Sequence, residues 1–151
     1  DRLDHNGGRL QMRLFGILPV ADDGGPEILK AQLLRYMAEL PWVPAALAVN
    51  EALDFEQVDD RTVRVTGRIG EVSASIDLFF DQEGDIVGVE TDERPWEREN
   101  GEYVPQTWGG TFDEYREFDG LRVPTAVEVY WELPEGRYTY FRGEVTNFGA
   151  R

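Results

Sequence analysis

Between Leu121 and Leu133 the odd positions read Leu121, Val123, Thr125, Val127, Val129, Trp131 and Leu133, while the even ones include Arg122, Glu128 and Glu132. A period of two sends alternate side chains to opposite faces, so this stretch requires a sheet with one face in a core and one in water. Asp119-Gly120, between Phe118 and Leu121, supplies the positive φ that a two-residue hairpin turn needs. Pro134-Glu135-Gly136 reverses the chain again, and Tyr138, Tyr140, Phe141 and Phe148 follow on a strand rich in β-formers. Thr111–Phe148 is therefore expected to form a three-strand meander.

Upstream, Arg9–Phe15 alternates and reads as a strand, broken at Ala21–Pro26. Pro26-Glu27 then opens a helix, with a preset φ and an acid near the positive end of the dipole. Leu29, Leu33, Tyr36 or Met37, and Leu40 recur every three to four residues, so Glu27–Leu40 is the expected helix, stopped by Pro41 and Pro44 on either side of Trp42. Ala45–Asn50 suggests a further short helical turn. After it come Leu53–Val58, Thr62–Ile69, Val72–Phe80 and Ile86–Glu93 as strands at hairpin spacing, a charged loop Glu93–Gly101 holding Trp96, and Tyr103–Trp108 leading into Thr111–Phe118. The fold class expected is α+β: a strongly curved antiparallel sheet, a meander of about eight strands forming a half-barrel, packed on one main α-helix. The 151 residues make one domain, 1–151, long enough to bury a core.

Thirty acidic residues against fifteen basic ones give a net charge of −15, which leaves no basic face for a phosphate backbone and argues against nucleic acid. No apolar run approaches the roughly 20 residues of a membrane span. No leader is visible, but the chain opens with Asp1 rather than Met, as a processed product would; a soluble protein is expected, its compartment open with a lean to the cytoplasm. Lys30 is the only lysine. An acid-rich, lysine-poor surface suits solubility at high salt, and equally an acidic protein from a GC-rich genome.

Catalytic chemistry finds few residues. The chain has no Cys, one His (His5, near the terminus) and two serines, Ser73 and Ser75, which alternate with apolar residues on a strand; a serine or cysteine triad is effectively excluded. Asp1, Asp4, His5 and Asn6, and separately Asp22-Asp23-Gly24-Gly25, are oxygen-rich, but neither follows an EF-hand pattern, so no metal and no cofactor is assigned. Glu128 lies opposite the apolar face; if enclosed it would need Arg94, Arg98 or Arg122, and a cross-strand ion pair on a wet face is the simpler expectation. The aromatic residues remain. Trp42, Trp96, Trp108, Tyr115, Trp131, Tyr138 and Phe141 could line an apolar pocket between helix and sheet, with Arg94 and Arg122 as its polar groups, or could fill the core. Trp96 and Trp108, beside turns, are the candidates for its mouth.

Several local patterns carry a resemblance: Phe15-Gly16-Ile17-Leu18-Pro19-Val20; Arg35-Tyr36-x-x-Glu39-x-Pro41-Trp42-x-Pro44; Asp113-x-Tyr115; and Gly120-x-Arg122-x-Pro124 leading to Glu128 and Trp131. In order and spacing they resemble an uncharacterised prokaryotic family without an assigned activity. The resemblance implies a carboxy-terminal part of a longer family member, and a curved sheet similar to the lipoprotein-carrier (LolA-like) group, which holds acyl chains between sheet and helices. Two readings follow: a non-enzymatic module binding an apolar ligand such as an acyl chain, or a structural domain with a packed core that self-associates through a sheet edge. An enzyme ranks third. Unfolding followed against salt separates the two accounts of the acidity: loss of structure below molar salt supports high-salt adaptation, and indifference to salt excludes it.

Overall fold

The computed structural model describes residues 12–14, 18–21 and 25–149. Its centre is an open seven-stranded antiparallel sheet in the order β11-β10-β7-β6-β5-β4-β3. The strands are β3 (Leu53–Asp59), β4 (Thr62–Ile69), β5 (Val72–Phe80), β6 (Ile86–Glu97), β7 (Tyr103–Asp113), β10 (Ala126–Leu133) and β11 (Gly136–Glu144). Two further pairs stand apart from it: β1 (Met12–Leu14) with β2 (Leu18–Ala21), and β8 (Arg116–Phe118) with β9 (Leu121–Val123). The acidic groups at Asp1–Asn6 and Asp22–Gly24 lie outside the described residues, as do the outer parts of the expected strand Arg9–Phe15.

Helix α1 runs Pro26–Ala38, with Pro26 in its first turn. Pro41 then forces a single 3-10 turn, Leu40–Trp42, and Pro44 opens the short α2, Pro44–Val49. One face of α1 carries Leu33, Leu34 and Met37, all nearly fully buried, and Leu40 just beyond it is equally enclosed. Each such side chain contributes about 1.5–3 kcal/mol by leaving water. The helix lies over β4, β5, β6 and the near side of β7. It can approach closely because Gly67 and Ala74 are cross-strand partners beneath it; a Cβ on Gly67 would stand 2.9 Å from Leu33 Cδ1. Val65, Ile76, Leu78, Val89, Trp108 and Phe112 complete this core.

Two expectations need correction. The meander over Thr111–Phe148 is interrupted, because β7 pairs directly with β10 while β8 and β9 fold out as a separate hairpin. The Asp119-Gly120 turn is present, with φ of 49° and 81°. What breaks the long strand at 121–133 is Pro124-Thr125: proline offers no ladder N–H, and the Thr125 N–H and hydroxyl turn back to Glu114 O, where Glu114 itself has φ 52°. Second, 93–97 is strand, and only 98–102 turns, closed by the Arg98 N–H donating to Glu102 O and the Gly101 N–H to Arg98 O; Trp96 therefore sits on β6. Glu128, by contrast, makes the expected cross-strand ion pair on a wet face, with Arg142 directly across on β11 at 2.6 Å.

Gly109 is the tightest point of the sheet. A Cβ there would lie 2.5 Å from the Val89 carbonyl oxygen and 2.7 Å from the Tyr130 hydroxyl. Gly109→Ala is expected to cost about 1–3 kcal/mol in urea unfolding through overpacking. Gly67→Ala meets the side chains of Leu33 and Met37 rather than backbone, and should cost clearly less; equal losses would contradict this packing.

Candidate functional site: the helix-side face beyond the helix

Two irregularities in the ladder decide what the helix-side face carries. On β6, Thr91 pairs with Trp108 but Arg94 pairs with Gln106, so three steps along β6 match two along β7. Thr91, Trp108, Gln106 and hence Arg94 then share one face, although simple alternation from Thr91 would send Arg94 to the other. Trp96, opposite Val104, follows Arg94 onto that face. On β11, Val129 pairs with Phe141 and Tyr130 with Thr139, leaving Tyr140 as the extra residue. Phe141 and Tyr138 both return to the helix side, in rows with Val129 and Trp131.

The two bulges meet around one arginine. The Arg94 guanidinium carbon stands 4.1 Å from the Trp108 ring centroid and 5.7 Å from that of Trp131, and Nη1 donates to the Ala31 carbonyl of α1 at 3.0 Å. Trp96 packs edge-to-face on Trp131 at 4.8 Å. Trp108 Nε1–H donates to the Tyr140 hydroxyl at 3.0 Å. Burial pulls Arg94 down to about 10, with Tyr140 acting to raise it and Arg35 to lower it further; it remains charged at neutral pH. Its sequence neighbour Glu93 is occupied elsewhere: that carboxylate accepts from Lys30 Nζ of α1 at 2.6 Å and from the Ser75 N–H of β5 at 2.5 Å. Since β6 leaves β5 beyond Asp77–Glu90, Glu93 supplies Ser75 with the acceptor that the ladder no longer provides.

Helix α1 stops short of β10 and β11, and the apolar face continues without it. Tyr138, Tyr140 and Phe141 are 54%, 46% and 50% exposed, beside half-buried Trp131. The residues predicted from sequence thus separate into three places. Arg94, Trp96, Trp108, Trp131 and Tyr138 share the face just described. Trp108 is 4% exposed and belongs to the core, so it does not form a mouth. Trp42 lies at the other end, edge-to-face on Phe112 at 5.2 Å and donating to Pro124 O. Tyr115 and Arg122 sit by the β8–β9 hairpin: Arg122 is held by Asp85 at 2.5 Å and lies 5.3 Å from the Tyr115 ring, and Tyr115 donates to Ile86 O. Tyr140 was absent from the predicted site, since only the bulge brings it to Trp108.

The opposite face is polar. A cleft of about 420 Å³ opens there between β5 and β6, lined by Arg64, Asp77, Glu90, Asp92 and Glu93 among others. Arg64 is held by Asp77 through two hydrogen bonds, and Ser75 shares a hydrogen bond with Thr66. Among the described residues no group of three or more Asp, Glu or His is placed to hold a metal ion, and no helix is long and apolar enough to cross a membrane. Tyr130, buried on this side, donates to Glu90 at 3.0 Å under the Arg137 guanidinium at 3.6 Å.

An open antiparallel sheet with one covering helix, and an aromatic face that the helix leaves bare, defines the class as an α+β protein with an exposed apolar sheet surface. The chain belongs to a family of unknown function, DUF6544, whose model matches residues 1–143. No curated protein and no solved structure matches it.

Burial, then the bond to and charge of Glu90, push Tyr130 up to about 12 from an ordinary 10.0; burial and the charge of Asp85 raise Tyr115 equally. The native state therefore keeps two protons that the unfolded chain loses, a contribution complete below pH 10 and lost as pH rises through about 12. Arg94 acts in the reverse sense, since the unfolded chain keeps its proton longer. Two groups outweigh one, so the thermal midpoint is expected to fall between about pH 10 and 12. Tyr130→Phe should make the fall shallower; an unchanged slope would contradict the assignment.

Proposed function

We propose that the protein is a non-enzymatic module that binds an apolar ligand of acyl-chain type, held against the helix-side face of β10 and β11. The observation that carries this is the placement of Tyr138, Tyr140 and Phe141, about half exposed each, in continuity with Trp131, Trp96 and the buried Trp108. A contiguous aromatic surface of this kind is the usual signature of a binding face on a water-soluble chain. Beneath α1 the space is filled by Leu34, Met37, Ile76 and Trp108, so the ligand lies beyond the helix, on the open part of the sheet. The sequence has no Cys, one His and two serines, a poor supply for nucleophilic catalysis, which favours the binding reading.

A second reading is favoured by a separate observation. Among the described strands β11 is an edge of the seven-stranded sheet, and it carries the same exposed aromatics. Two copies joined through β11 would bury them.

Titration with the neutral probe N-phenyl-1-naphthylamine tests the first reading. The double variant Tyr138→Ser/Phe141→Ser is expected to weaken uptake about tenfold or more, a loss of about 1.4 kcal/mol or more, with its thermal midpoint nearly unchanged. Trp108→Ala should instead destabilise the fold by about 3–5 kcal/mol. Uptake that ignores the double variant contradicts the binding face, and a dimer in sedimentation that the double variant dissociates would favour the edge reading.

A further inference from the structure

The chain has twice as many acidic as basic residues, and the described arginines show it. Arg35, Arg64, Arg68, Arg116, Arg122, Arg137 and Arg142 are each held by a carboxylate. Arg61 and Arg98 are exposed, where water solvates a guanidinium without help. Arg94 is the exception: it is largely enclosed, yet among the described residues its partners are one helix carbonyl and two indole faces. An enclosed cation is expected to have a counter-charge, and in a chain of net charge −15 acids are not scarce. The carboxylate beside it in sequence is bound to Lys30 and Ser75 instead.

The geometry also leaves donors available. Only Nη1 of Arg94 is engaged by the helix carbonyl. No described side-chain nitrogen or oxygen is both sealed from solvent and without a partner, so the guanidinium nitrogens of Arg94 that Ala31 does not engage are not fully sealed. Those groups form a planar fork of the kind that grips both oxygens of a carboxylate. Tyr140 adds a donor, because a hydroxyl that accepts from Trp108 Nε1–H still has its own proton to give. A single fork matches a single negative charge; Arg35, the other cation felt at the site, is already bound to Glu39. Both donors border the exposed aromatics of β11.

We propose that Arg94 and Tyr140 are the head-group receptor of this face, taking the carboxylate of an acyl-chain acid whose tail lies along Phe141 and Tyr138. The inference rests on the reading of that face as an apolar binding surface, and deepens it by naming the ligand class: a monoanionic amphiphile whose counter-charge completes the arginine.

The test uses the full chain at pH 8 in calorimetric titrations with dodecanoate, dodecanol and butanoate. Wild type is expected to bind dodecanoate about tenfold or more tighter than dodecanol, the increment of a charge-assisted hydrogen bond. Arg94→Gln should erase that preference while leaving dodecanol affinity in place, and Tyr140→Phe, a half-exposed position that should fold regardless, should narrow it several-fold. Equal binding of acid and alcohol by wild type, or a preference that survives Arg94→Gln or is untouched by Tyr140→Phe, overturns the head-group assignment and leaves the apolar face standing. Butanoate binding as tightly as dodecanoate overturns the amphiphile and with it the apolar face. Failure of all three to bind removes both.

Discussion

The contact on which the rest of this structure depends is the seating of α1 on Gly67 and Ala74. A cross-strand pair without bulk lets Leu33 and Met37 come down onto the sheet, and that close approach seals Leu34, Met37 and Leu40 from water. Hydrophobic burial is short-ranged, so the helix can satisfy only the strands it touches. One helix of thirteen residues reaches from β4 to the near side of β7. The seven-stranded sheet is wider than its cover, and the surplus face of β10 and β11 is where apolar side chains remain in water.

That surplus face is shaped by irregular pairing. A bulge adds one residue to one strand and so exchanges inside for outside along everything that follows. At 91–94 it turns Arg94 and Trp96 toward the helix side; at Tyr140 it returns Tyr138 and Phe141 to the same side. The outcome is a cation between two indoles, tied to the helix through Ala31 and bordered by a tyrosine hydroxyl. Glu93 makes the arrangement tenable from the other direction, because it closes the gap where β6 parts from β5 and draws Lys30 of the helix to the same point. Structure and site therefore share a cause: where the ladder departs from regularity, the sheet opens and the unusual side chains face inward.

Much of the fold was legible because it rests on local periodicity. The strands from Leu53 to Glu93, the helix from Pro26, and the Asp119-Gly120 turn follow from alternation, proline placement and turn chemistry, and each is present. What was not legible follows from effects that alternation does not encode. Pro124-Thr125 divides an unbroken alternating run because Thr125 bonds back to Glu114, a contact eleven residues away. The bulge at 91–94 reverses Arg94, so counting by twos from Val89 places it among the solvent-facing acids. Of the residues named for a site, Arg94, Trp96, Trp108, Trp131 and Tyr138 share a face, while Trp42, Tyr115 and Arg122 have the same chemistry but different neighbours. Tyr140 could not be selected from sequence at all, since its role depends on being the unpaired residue of a bulge.

The central claim is that the open aromatic face and the arginine within it are completed by an acidic amphiphile. Native mass spectrometry of the full chain, purified without detergent and mixed with one equivalent of dodecanoate, addresses it most directly. The account predicts a 1:1 adduct on the wild-type mass whose occupancy falls about tenfold in affinity terms in Arg94→Gln. A bare wild-type mass under the same gentle conditions would contradict it and leave the face to a second copy of the chain.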